Sequence, residues 1–152
     1  QQFFPMILSS YKERCVMSGI KYLLDTNIVI GLLKASPDAS NLLQIYPDLL
    51  EKCAVSQITR MELLAFPKID AKSGQQILGF LESCPILLLD EHIEQIAIKL
   101  RRNGRLKLPD AIIAATAQAH DLEVFTFDKH LAKAFKTYRP ALSRCHYNPL
   151  NL

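Results

Sequence analysis

The chain has 152 residues, 49% of them hydrophobic and 22% charged, with a formal net charge of +3, which is enough to enclose the core of one compact domain. The longest apolar run, around Pro85 to Leu89, stops at Asp90, far short of the roughly 18 residues a membrane span needs, so no membrane segment is expected. The charge alone is weak evidence, but acids gathered in one site would leave the rest of the surface more basic, which fits a polyanionic partner without demonstrating one.

Residues 1–16 (QQFFPMILSSYKERCV) place their basic residues after the apolar stretch, the reverse of a secretory signal. We expect this stretch to be an N-terminal extension or tag remnant, with the domain starting at Met17 and running over 17–152. Ile20 to Leu24 predicts a short strand ending at Asp25, and IVIGLLK continues as a helix until Ser36-Pro37 breaks it. Asn41 to Lys52 predicts a kinked or divided helix, because Pro47 interrupts its apolar spacing. Cys53 to Val55 predicts a brief strand, and Ser56 a cap for the helix that carries Glu62.

Ala71 to Glu82 has helical spacing with Ile77, Leu78 and Leu81 on one face, and PILLLD is an apolar run of buried-strand type. Asp90 caps the next predicted helix, where Ile93, Ile96, Ala97 and Leu100 recur with the helical period and Arg101-Arg102-Asn103-Gly104 marks the end. Pro109 opens a further helix whose Ile112, Ile113 and Thr116 pack inward, and Val124 to Phe127 predicts a strand. Arg144 to Tyr147 is the candidate for an edge strand. Alternating strands and helices predict an α/β domain with a mainly parallel sheet, whose sites lie at the carboxyl ends of its strands.

Four acids fall at that edge or in helices starting near it: Asp25, Glu62, Asp110 and Asp128. Converging carboxylates repel one another, and a hard divalent cation, Mg²⁺ or Mn²⁺, offsets that repulsion. Each acid also has a plainer reading. Asp25 and Asp128 would serve as helix caps, Glu62 as a solvated helix residue, and Asp110 as a first-turn acid favoured by the helix dipole. Glu62 has Met61, Leu63, Leu64 and Phe66 for neighbours, so an apolar helix leaves its carboxylate in want of a partner.

His92, His120, His130 and His146 lack metal-ligand spacing. Cys15, Cys53, Cys84 and Cys145 form no CxxC pair, and they read as reduced, buried thiols of a cytoplasmic protein. Leu32, Leu33, Leu42, Leu43 and Ile45 exceed what one helix face needs, and serve either the core or an interface.

In order, LLDTNIVIGLL, ITRMELL and PDAIIAATAQAHDLEVFTFDKHL resemble the PIN-domain nucleases, and within them the VapC-type toxins of bacterial toxin-antitoxin pairs. The likeness spans about Tyr22 to Phe135. It implies a three-layer α/β fold with a central sheet flanked by helices, and Asp25, Glu62, Asp110 and Asp128 as catalytic metal ligands. It further implies cleavage of single-stranded RNA, a homodimer and a small antitoxin that covers the site. Thr126 matches a hydroxyl often found beside the fourth acid, and Asn27 a position that braces the Asp25 loop. Arg105 and Lys107, just before the Asp110 helix, are candidate contacts for substrate phosphates. Two rivals stand beside a metal-dependent endoribonuclease: a phosphatase with Asp25 as covalent nucleophile, which would want an acid where Asn27 stands, and a non-catalytic module whose acidic pocket binds a partner's arginine.

Overall fold

The structure, a computed structural model, describes residues 19–67, 70–104, 106–138 and 145–147. The chain runs β1 (Tyr22–Leu24), α1 (Thr26–Leu33), α2 (Pro37–Ile45), β2 (Cys53–Ser56), α3 (Gln57–Leu64), α4 (Ala71–Ser83), β3 (Ile86–Leu87), α5 (Glu91–Asn103), α6 (Leu108–His120), β4 (Glu123–Thr126), α7 (Lys129–Tyr138) and β5 (Cys145–Tyr147). The strands form one sheet in the order β3-β2-β1-β4-β5, and every pairing is parallel. The Arg144–Tyr147 expectation is met at the sheet's edge by β5.

Alternation along the strands builds the layers, since successive side chains leave opposite faces of a strand. Tyr22, Leu24, Cys53, Val55 and Phe125 point to one face, where Ile28, Leu42, Leu63, Ile77 and Phe80 from α1 to α4 cover them. Leu23, Ala54, Leu87 and Val124 point to the other, against Ile93, Ile113, Leu131 and Phe135 from α5, α6 and α7. Both faces are buried, which is why the strands read as unbroken apolar runs rather than alternating ones. The result is the three-layer α/β fold that the motif resemblance implies.

Helix starts follow the side chains available. Ser36 accepts from the Ala39 amide with Pro37 in the first turn, Ser56 accepts from Thr59, Asp70 from Ser73 and Asp90 from Ile93. Asp90 is thus a cap, as expected.

Several expectations need correcting. β1 starts at Tyr22 rather than Ile20, and β4 ends at Thr126, leaving Phe127 outside. The Asn41–Lys52 helix instead begins at Pro37 and stops at Ile45, with residues 47–51 in turns, because Pro47 supplies no amide to continue it. Only Ile86 and Leu87 of PILLLD are strand; Leu88 and Leu89 are 58% and 44% exposed. In α4 the buried face carries Ile77 and Phe80, whereas Leu78 faces solvent. Residues 1–16, Arg105 and the side chains of Cys145 and His146 lie outside the described residues. No described helix is long and apolar enough to cross a membrane.

Candidate active site

β1 lies between β2 and β4, so the chain's crossovers diverge beside it and leave a crevice at the carboxyl edge. Leu24 pairs with Phe125, and the Asp25 amide donates to the Phe125 carbonyl at 3.0 Å. This seam brings the residue after β1 against those after β4, although about a hundred positions separate them in sequence.

Asp25 is buried, at 6% exposure. Its Oδ1 accepts from the Thr26 amide at 2.7 Å, and its Oδ2 accepts from the Thr126 hydroxyl at 2.7 Å. Thr126, with no exposed surface, also accepts from the Asp128 amide at 2.9 Å. Asn27 completes the brace: its Oδ1 accepts from the Phe127 amide at 3.1 Å, while its Nδ2 reaches Thr126 Oγ1 at 3.5 Å. The plain and functional readings of Asp25 therefore coincide, since one carboxylate caps α1 and faces the crevice.

Glu62, on α3, is exposed, and its Oε1 accepts from the Thr26 hydroxyl at 2.9 Å. Its neighbours Met61, Leu64 and Phe66 are exposed too, so the apolar surroundings expected from the sequence are absent on that side. Thr26 is the residue that motif reading passed over. It lies inside DTN, but its partner is 36 positions away, and no local spacing signals that contact. Asp128 caps α7 through Oδ1, which accepts from the His130 amide at 2.7 Å and the Leu131 amide at 3.3 Å.

Asp110 sits in the first turn of α6, half-buried. Burial, then the charges of Asp25, Asp128 and Glu62, push its carboxyl up to about 6, with exposed Lys107 pulling the other way. Burial also raises Asp25; the Thr126 hydroxyl and Thr26 amide oppose that rise, and Glu62 and Asp128 add to it. All four acids thus share one electrostatic neighbourhood.

Among the described residues, no three acidic, His or Cys side chains stand close enough to coordinate one ion as they are placed. The donor set nevertheless suits a hard divalent cation. It is all oxygen, and the Asp48–Lys52 salt bridge uses none of these four acids. Asp25, Asp110, Glu62 and Asp128 are the residues that would hold such an ion.

A parallel sheet between two layers of helices places the chain in the broad class of three-layer α/β proteins. Within that class, the chain belongs to the PIN domain family, whose model matches residues 22–136. It is similar to a toxin-antitoxin complex from Klebsiella pneumoniae (36% identical, covering 74% of this chain and 91% of that one, TM-score 0.63). FitAcB from Neisseria gonorrhoeae is similar as well (26% identical, 86% and 99% covered, TM-score 0.60), as is VapBC-1 from nontypeable Haemophilus influenzae (25% identical, 84% and 98% covered, TM-score 0.64). The expected likeness to VapC-type PIN toxins is borne out by these matches. No curated protein matches the chain.

Proposed function

We propose that this chain is a Mg²⁺- or Mn²⁺-dependent endoribonuclease, the toxin of a toxin-antitoxin pair, acting in the cytoplasm as a homodimer. The observation that carries the reading is the gathering of acids near the sheet's carboxyl edge, where the charges of Asp25, Glu62 and Asp128 bear on the half-buried Asp110. The PIN family, generally of nucleases, supports hydrolysis of a phosphodiester. RNA as substrate is our own extension.

Asp25 and Asp110 are direct ligands in this proposal, with Glu62 and Asp128 completing the set directly or through water. When bound, the cation would neutralise the clustered charge, acidify a water and stabilise the leaving oxygen. The chain's own groups do the rest. Thr126 and the Thr26 amide fix the plane of the Asp25 carboxylate, and the Thr26 hydroxyl turns Glu62 toward it. One carboxylate of the set accepts the proton of the attacking water. Lys107 and Arg105 contact substrate phosphates. Asn27, where a phosphatase would place its second acid, is engaged by Thr126 and Phe127 and favours bracing over that rival.

The partner proposed is a small antitoxin. A cleft between α1 and α4, lined by Ile30, Leu33, Phe66 and Ile77, offers it an apolar foothold, and a basic side chain from it would replace the cation's charge. The similar toxin-antitoxin complex from Klebsiella pneumoniae supports this. Incubating labelled cellular RNA with the protein and Mg²⁺ or Mn²⁺, beside Asp25→Asn, tests the reading. Metal-dependent cuts with 5′-phosphate and 3′-hydroxyl ends, lost in the variant, are expected; 2′,3′-cyclic phosphate ends would overturn it.

A further inference from the structure

We propose that Cys53 and Cys84 form a reversible intrachain disulfide that locks the β2–β3 edge of the sheet. Neither residue belongs to the acidic site, which lies at the opposite end of β2. Their placement is set by register: Val55 pairs with Ile86 and Ser56 with Leu87, so two residues earlier Cys53 stands opposite Cys84. The Val55 amide donates to the Pro85 carbonyl at 3.1 Å, which holds that register. Cys84 has extended backbone, φ −106° and ψ 131°, so it continues the line of β3 beyond its pairing.

Both side chains enter the same apolar layer, and their Sγ atoms are 4.0 Å apart. Neighbouring strands run about 4.8 Å apart, within the Cα separation of about 4.4–6.8 Å that a disulfide spans. The bond therefore needs side-chain rotation to bring the sulfurs to about 2.05 Å, and no change of register.

Cys84, at 8% exposed, is the more accessible residue; Cys53 is at 5%. With hydrogen peroxide as oxidant, the Cys84 thiolate attacks one peroxide oxygen, the O–O bond breaks and hydroxide leaves, taking up the proton the thiol released to become water and giving a sulfenic acid. The Cys53 sulfur then attacks that sulfur, the S–O bond breaks, and a second water departs as the S–S bond forms. Two thiols lose two electrons and one peroxide becomes two waters. A dithiol reverses the change by thiol–disulfide exchange.

The test treats the full chain with hydrogen peroxide, blocks remaining thiols with an alkylating reagent, and maps tryptic peptides. Trypsin separates all four cysteines, with Cys53 in residues 53–60 and Cys84 in residues 73–99. A cross-linked pair of these two peptides, two hydrogens lighter than their sum and released by dithiothreitol, is the expected result. Full alkylation of Cys53 and Cys84 after oxidation, or cross-links confined to Cys15 and Cys145, would overturn the proposal. So would a fall in Tm on oxidation, because a bond that fits the edge should raise Tm, by roughly 5 °C. Cys53→Ala should lose both the cross-link and the shift in Tm. If oxidation still raised Tm by the same amount in that variant, the pair would not be its cause.

Discussion

The half-buried Asp110 has a titration of defined sign. Its folded pKa of about 6 lies above the ordinary 3.8, so between those values the native state holds a proton that the unfolded chain has lost. Stability of the metal-free protein should then fall as pH rises from about 4 to about 6 and level off above. Thermal unfolding in chelator, compared with Asp110→Asn, checks this: the variant should lack that part of the decline and melt higher at pH 7. Added Mg²⁺ should raise the Tm of the wild type and barely move the variant. For Asp25→Asn we expect at least a hundredfold lower cleavage rate with Tm in chelator unchanged or higher; a comparable rate would remove Asp25 from the chemistry. At this scale the sequence was informative about identity and poor about surroundings. Asp25, Asn27, Asp110 and Asp128 stand out because DTN, PDAIIAATA and TFD are local strings. The Thr26–Glu62 bond and the burial of Asp25 depend on long-range pairing that no local spacing encodes.

The β1–β4 seam is where elements, rather than single residues, shape the site. Thr126→Val would leave Asp25 Oδ2 without its donor and the Asp128 amide without its acceptor, both partly or wholly buried. Urea unfolding should register a loss of about 2 kcal/mol, and Thr126→Ser should recover most of it. Ser56→Ala removes the cap of α3 and should cost about 1 kcal/mol. It should also weaken Mg²⁺ binding, followed by calorimetry, because Glu62 rides on that helix. Helices were the more legible elements, since caps and breakers such as Ser36-Pro37, Asp90 and Pro109 act locally. Strands of two to four residues are too short for periodicity to bound them. Nothing in PILLLD distinguishes Leu87, which meets the core, from Leu88, which meets water.

Across the whole molecule, the formal charge is +3 with the four acids counted in, so the rest of the chain is more basic than the total. If Lys107 contacts a phosphate, Lys107→Gln should lower the salt slope of single-stranded RNA binding by about 0.7. Filter binding across a salt series would measure it, and an unchanged slope would place Lys107 away from the substrate. The parallel α/β class could be inferred from the alternation of elements, but the strand order could not. That order follows from which faces the helices cover, a global property of packing.

The central seam also has a meaning in time. β1 is synthesised before its partner β4, which comes about a hundred residues later with the acid beyond it. A nascent polypeptide interrupted before Asp128 carries Asp25, Glu62 and Asp110 without the strand that draws the first and last acids together. On the proposed function such fragments would be inert, and cleavage would follow only once Asp128 has been added.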